Sequence, residues 1–343
     1  MLVQNRAHRM QGHKGWSEAE WRAMDLRIRA AIARCTDAAA CRERIVPFAR
    51  KVLRTYSSNF YVVTRFLPPA KRADVEVLYA NVRYPDEVVD TFPLRPDEKE
   101  ARLARWRQQY EAALAAARPL ETLPEEAPAF LAALSELIAR HSVPPDYYRS
   151  FLTAMAMDIR PRRFATLDDL IESYVYGSAI VVGYLLAYAF GSDGGSAMPA
   201  ALKSARALGI GLQFTNFARD AGEDLARGRI YVPESLLAQE GITEVHPADL
   251  GHRRALGRAA KRLAEAAQPY YAEALAGLDA FAPDARTAIR ACAATFARLN
   301  ERVLRSPQGI DVRQTLPPHE KWKPLPLSKY WRIPVAYLTE WRT

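Results

Sequence analysis

Two pairs of aspartates carry the chemistry in this chain. Asp86 and Asp90 stand four residues apart in LYANVRYPDEVVDTF, and Asp220 and Asp224 repeat the spacing in LGIGLQFTNFARDAGEDLARGRIYVP. On an α-helix, residues i and i+4 share a face and lie about 6 Å apart along the axis. Each pair can therefore serve one metal cluster. Gln213 and Asn216 extend the second stripe, and Arg83 precedes Asp86 by three. Mg²⁺ takes oxygen ligands in an octahedron, keeps several waters, and is usually held by one or two carboxylates plus substrate phosphates. Arg83, Arg219, Arg227 and Arg229 lie beside the acids, placed to clamp phosphate oxygens that carboxylates repel. A lone D-x-x-x-D is usually a solvated acidic helix face. Two copies, one of them continuing an apolar helix, point instead to walls of a cavity that holds Mg²⁺ against a diphosphate.

The elements that position these residues read as helices almost throughout. Ser17 and Glu20 have capping-box spacing, and an amphipathic helix follows to about Cys35. Further helical patterns cover about 41–56, 70–90, 96–117, 124–141, 145–157, 167–190, 197–225, 247–279 and 284–305. Proline pairs at 68–69, 144–145 and 317–318 mark breaks between them. Pro85 sits directly before the first acids, where it removes an amide donor. It is expected to kink that helix or restart it, with Asp86 and Glu87 in the new first turn. Residues 1–15 form a basic tail, 16–305 a single all-helical domain, and 306–343 a proline- and aromatic-rich tail packed on it.

Composition narrows the function. The chain has 343 residues, 49% of them hydrophobic, enough for one large core. Three cysteines (Cys35, Cys41, Cys292) lack metal spacing and fit a reducing cytosol, and the histidines are scattered. The net charge of +9 admits nucleic acid, but the basic residues alternate with acids and no nucleic-acid motif is present. Residues 174–192 carry no charge; tyrosines, glycines and flanking acids make them a central helix lining an apolar cavity rather than a membrane span. The expectation is a soluble, cytoplasmic protein with peripheral membrane contact, no nucleic acid and no obligate protein partner.

These segments together resemble the squalene/phytoene synthase family, a branch of the class I isoprenoid synthases. Gln213, Asn216, Arg219, Asp220, Glu223, Asp224, Gly228, Arg229, Tyr231 and Pro233 follow the family's Q-x-x-N-x-x-R-D-x-x-E-D and G-R-x-Y-x-P pattern. Tyr79, Ala80, Arg83, Asp86, Glu87 and Asp90 follow its first acidic motif, and residues 57–69, 155–159 and 174–183 resemble further family segments. The likeness runs from about 57 to about 304. It implies an all-α helical bundle around a central apolar cavity, using two or three Mg²⁺ to ionise an allylic prenyl diphosphate. By the same resemblance Asp86, Asp90, Asn216, Asp220 and Asp224 are the metal residues. Ser57, Arg83, Arg219, Arg229 and Tyr231 then hold diphosphate, with Gln213 beside them, and Phe60, Tyr174, Tyr176 and Phe296 are the candidates to offer aromatic faces to a carbocation. No G-x-G-x-x-G loop is present for NADPH; family members that use NADPH lack one too, so the reductant stays open.

The departures bear on what receives the prenyl group. Ile180 stands where the family usually has a small residue, Phe296 where it commonly has tyrosine, and Asn81 and Val82 where it has F-C. A bulky Ile180 is expected to shorten the lipid tunnel. The first expectation is therefore transfer of a short prenyl group to an electron-rich aromatic, indole- or carbazole-like, as some squalene-synthase-like members perform. The second is head-to-head condensation with another prenyl diphosphate, and the third a catalytically silent lipid-binding or assembly protein.

Overall fold

The computed structural model describes residues 15–121, 123 and 127–339. The expected basic tail lies outside them, apart from Gly15. Helices follow in the order α1 (Glu18–Ile32), α2 (Ala38–Tyr56), α3 (Ser58–Thr64), α4 (Pro69–Asp90), α5 (Pro96–Ala115), α6 (Ala129–His141) and α7 (Asp146–Met157). Next comes a continuous rod made of α8 (Leu167–Leu170), a wide π-helical segment (Ile171–Ile180) and α9 (Val181–Phe190). Then follow α10 (Met198–Ala226), α11 (Glu234–Gln239), α12 (Leu250–Ala276), α13 (Pro283–Arg305), α14 (Pro318–Trp322) and α15 (Lys329–Thr339). The described residues contain no strand, only one isolated bridge between Ser192 and Phe281. The expected all-α bundle is what the chain forms.

Local signals explain most boundaries. The Ser17–Glu20 capping box opens α1 as expected, and the Asp37 side chain caps α2 by accepting from the Ala40 amide. The α6 helix starts at Ala129, later than the pattern implied, because Pro128 fixes its N-terminal boundary. The short α3, α11, α14 and α15 were not foreseen. The fold is held by apolar burial: Ile28, Ile45, Leu53 and Leu131 are fully buried, each roughly 1.5–3 kcal/mol better inside than out.

Two layers frame the centre. The α4 helix packs on α2, α5, α6, α7 and α9, while α10 lies along α12 and against α9, the π segment and α13. The apolar rod Leu167–Phe190 is long enough to cross a membrane, yet half of its most apolar window is buried inside the fold. It is the bundle's central helix.

Pro85 does not restart α4, contrary to the expectation; the helix is continuous through it to Asp90. The physical reason is a substitute donor. Pro85 cannot donate to the Asn81 carbonyl one turn back, and the buried Tyr148 hydroxyl donates to that carbonyl instead, at 2.7 Å. Tyr148 in turn accepts from Trp106 Nε1 at 2.9 Å. The Asn81 side chain is also occupied, donating to the Val77 and Phe130 carbonyls at 2.9 Å each. The first acid pair thus sits on an intact helix, directly after a proline whose missing hydrogen bond is replaced from α7.

Candidate active site

A cavity of about 540 Å³ opens between α4, the central rod and α10. Asp86 and Asp90 line it from one side, and Gln213, Asn216, Asp220 and Asp224 from α10. The i, i+4 stripes expected from the sequence therefore do meet. A second cavity, of about 260 Å³ and mostly apolar walls, adjoins the first and shares Ser178, Val182, Gln213 and Asn216 with it. Phe60, Leu186, Phe190, Leu212 and Ile289 lie along its length. Polar head and apolar tail compartments are joined through one waist.

The acids are crowded, and their partners sort them. Asp90 pairs with Arg229 at 2.5 Å and with Arg227 at 3.5 Å, tying the end of α4 to the turn after α10. That turn needs Gly228, whose φ is +75°, a region L side chains rarely adopt. Asp86 pairs with Arg83 at 2.5 Å, and Arg83 also binds the fully buried Glu87. The Arg83 guanidinium lies over the Tyr56 ring at 4.4 Å. Asp220 is held bidentately by Arg219 at 2.5 and 2.7 Å, and again by Arg313 at 2.7 Å. Arg313 also approaches Glu223 at 3.6 Å.

Titration follows from this crowding. Burial, with Asp220 beside it, pushes the Asp224 carboxyl up to about 8. Burial, with Asp90 and Glu87 nearby, pushes Asp86 to about 6 against the pull of Arg83. The Asp86 side chain nonetheless keeps 35% of its surface open to the cavity, so an incoming ligand can reach it. Burial would raise Asp220 as well, but Arg219 and Arg313 outweigh it and hold that carboxyl below the usual range.

A pH dependence follows. Asp86 and Asp224 bind protons more tightly folded than unfolded, so between about pH 4 and 8 the native state holds the extra protons. Stability then falls as pH rises through that window. In EDTA, the melting temperature is expected to drop between pH 6 and pH 8.5; a flat profile would contradict the crowding.

The donor set suits a hard divalent cation: all oxygen, with carboxylates from two helices on one cavity. Among the described residues no three carboxylate, histidine or cysteine groups converge on one point.

Other expected residues divide. Arg83, Gln213, Arg219, Arg229, Tyr174 and Tyr231 line the polar cavity, and Phe60 the apolar one. Phe296 is absent from both walls and stacks behind Phe60 at 5.7 Å. Ser57 also lies outside both walls; it caps α3, accepting from the Phe60 amide at 3.3 Å. Ile180 is fully buried in the core and lines neither cavity. The expectation that its bulk narrows the tunnel is corrected: its neighbours Ala179, Val182 and Gly183 form that wall.

Two residues were missed. Asp158, just past α7, accepts from Tyr174 at 2.5 Å and from Tyr231 at 2.7 Å. Its backbone carbonyl accepts from Arg229 at 3.1 Å, and burial raises its carboxyl to about 6. The only signals were an acid ending the apolar run MAMD and the family likeness of residues 155–159, which gave Asp158 no role. Arg313 comes from the tail, 93 residues from Asp220, and no local pattern marked it.

Residues 53–323 match the family model for squalene/phytoene synthase. The chain is 34% identical to 15-cis-phytoene synthase of Enterobacter agglomerans over 266 residues, covering 77% of this chain and 88% of that one. It is 32% identical to the 15-cis-phytoene synthase of Pantoea ananas, covering 77% and 84%. Among solved structures it resembles a dehydrosqualene synthase with a TM-score of 0.68 at 22% identity, over 87% of this chain and 98% of that one. A squalene synthase from Alicyclobacillus acidocaldarius matches with a TM-score of 0.60 at 26% identity, covering 75% and 92%.

Proposed function

The chain belongs to the squalene/phytoene synthase family, and from that premise we propose that it ionises an allylic prenyl diphosphate and joins its carbon skeleton head-to-head to a second one. The observation that carries this reading is the pair of joined cavities, an acid- and arginine-lined head compartment opening into an apolar one. The first has the charged and polar lining a diphosphate needs, and the second the apolar lining an isoprenoid chain needs. The relatives named above are phytoene synthases.

In this reading Asp86 and Asp90 on α4, with Asn216, Asp220 and Asp224 on α10, would hold Mg²⁺. The metal would supply Lewis-acid neutralisation of the departing diphosphate. Arg83, Arg219 and Arg229 bind its free oxygens, and each is already oriented by a carboxylate partner. Asp158 fixes the Tyr174 and Tyr231 hydroxyls, which sets their rings; Tyr231 stacks on Phe217 at 4.3 Å and on Tyr174 at 5.1 Å. Such π faces stabilise a nearby carbocation. Apolar walls keep water from quenching it.

The first expectation, an aromatic acceptor, rested on Ile180, Phe296, Asn81 and Val82. Ile180 and Asn81 are buried in the core, Phe296 packs behind Phe60, and only Val82 lines the polar cavity. These positions therefore give that acceptor little to favour it. The test is incubation with Mg²⁺ and prenyl diphosphates of five to twenty carbons, with and without indole or carbazole acceptors. A hydrocarbon formed without any acceptor is the expected product. A prenylated acceptor, with no hydrocarbon in its absence, would overturn the reading.

A further inference from the structure

One buried acid of the head compartment has no part in holding metal or diphosphate. Asp158, Tyr174 and Tyr231 all line that compartment and are at most 8% exposed. The other acids on its walls are taken: Asp86, Asp90, Asp220 and Glu223 pair with arginines, and Asp224 belongs to the α10 stripe. The Asp158 carboxylate instead accepts two phenol protons, from Tyr174 at Oδ2 and from Tyr231 at Oδ1. The two phenol oxygens lie 3.4 Å apart. Burial, and then the Asp158 charge, hold both phenols well above the usual tyrosine range, so neither ionises by itself. A phenol in that state takes up a proton only as it passes its own on, and both are aimed at Asp158. Arg229 fixes the place. It donates to the Asp158 backbone carbonyl at 3.1 Å and pairs with Asp90, which tethers the carboxylate beside the acids and arginines of the head compartment.

The proposed reaction needs a base. Joining two R–CH₂–diphosphates head-to-head releases two diphosphate anions, and the joined skeleton must shed two positive charges. As R–CH=CH–R it sheds them by losing two protons, one from each joined carbon. As R–CH₂–CH₂–R it loses one proton and takes a hydride from outside. The departing diphosphate is the rival base. In the proposed reaction, however, its oxygens are covered by Arg83, Arg219, Arg229 and a divalent cation, and hydrogen bonds and positive charge lower the basicity of an anion.

We propose that Tyr174 and Asp158 form a proton relay that ends the reaction, so that the product carries a double bond between the joined carbons. The step is an elimination. The C–H electron pair of the last cation becomes the new π bond, the proton goes to the Tyr174 oxygen, and the proton of Tyr174 passes to Asp158 Oδ2. The neutral carboxylic acid returns its proton to water once product has left. Tyr174 is the catalytic residue of this step, and Asp158 is the acceptor behind it. The relay rests on the head-to-head reading and acts after diphosphate has departed.

The test gives the full-length protein Mg²⁺ and farnesyl or geranylgeranyl diphosphate, and counts hydrocarbon, alcohol and inorganic diphosphate together. Wild type is expected to make a hydrocarbon whose mass is the same with and without added NADPH. Asp158→Asn keeps the volume of the side chain but cannot take the proton, and Tyr174→Phe keeps the ring stacked on Tyr231. Each should still release diphosphate, while hydrocarbon per diphosphate falls at least about tenfold, since a positioned general base contributes about 10²–10⁴-fold. Alcohols formed by water capture should take its place. If Asp158→Asn does not fold, Tyr174→Phe alone decides. A purely structural role would lower diphosphate release and hydrocarbon in step, and that result would overturn the relay. Unchanged hydrocarbon per diphosphate in both variants would also overturn it and make the diphosphate the base. So would a wild-type product two hydrogens heavier when NADPH is present. A wild type that makes no hydrocarbon at all would remove the head-to-head reading, and the relay with it.

Discussion

Asp220→Asn is expected to reduce turnover by about a thousandfold or more while leaving the helical fold in place. Asp220 is the most heavily partnered acid of the second pair, gripped by Arg219 from its own helix and by Arg313 from the tail. The amide is isosteric, so packing is kept. What disappears is the negative charge that opposes the first pair across the cavity and that a divalent cation needs. Losses of this size are usual when one preorganised electrostatic group is removed from a dry site. The side chain is 19% exposed, so the melting temperature should stay within about 5 °C of wild type. Circular dichroism and diphosphate release read the two effects apart. Full activity in this variant would refute the metal assignment.

Gly222→Ala is expected to be the most damaging single-methyl change on α10. Gly222 lies between Asp220 and Asp224, and a Cβ there would stand 2.1 Å from the Ile310 carbonyl oxygen and 3.1 Å from its carbon. Backbone meets backbone, so no rotamer change relieves the clash. The segment around Ile310 must lift off α10, carrying Arg313 away from Asp220 and Glu223. Overpacking against a well-filled contact costs about 1–3 kcal/mol, so the melting temperature should fall by several degrees, with a further loss of turnover. Arg313→Gln separates the two contributions, since it removes the charge and keeps the packing. If Gly222→Ala is as stable and active as wild type, the tail does not seat against α10.

The part of the site that was legible in the sequence is the part written in helical periodicity. Gln213, Asn216, Asp220 and Asp224 needed only the i, i+3 and i+4 rule to share a face, and they do line one cavity. Facing pairs of acids on long helices likewise implied a bundle with a hollow centre. What escaped depends on contacts remote in sequence. Pro85 looks like a helix break until Tyr148, 67 residues from Asn81, replaces the missing donor. Ile180 reads as cavity-facing in a regular helix, but it ends a ten-residue π-helical segment. There the altered winding shifts which side chains face inward. Asp158 acts through two tyrosines brought from α10's far turn and the central rod. Arg313 sits in a proline-rich tail with no periodicity to read.

The central claim is that both acid pairs serve one diphosphate-ionising site feeding one apolar compartment. Counting inorganic diphosphate against organic product, with Mg²⁺ and a single prenyl diphosphate as the only substrate, tests it most directly. The account predicts two diphosphates released for each hydrocarbon formed, with both signals lost in EDTA and in Asp220→Asn. Diphosphate release that persists in EDTA, or release in equal number with a prenylated acceptor and no hydrocarbon without one, would contradict it.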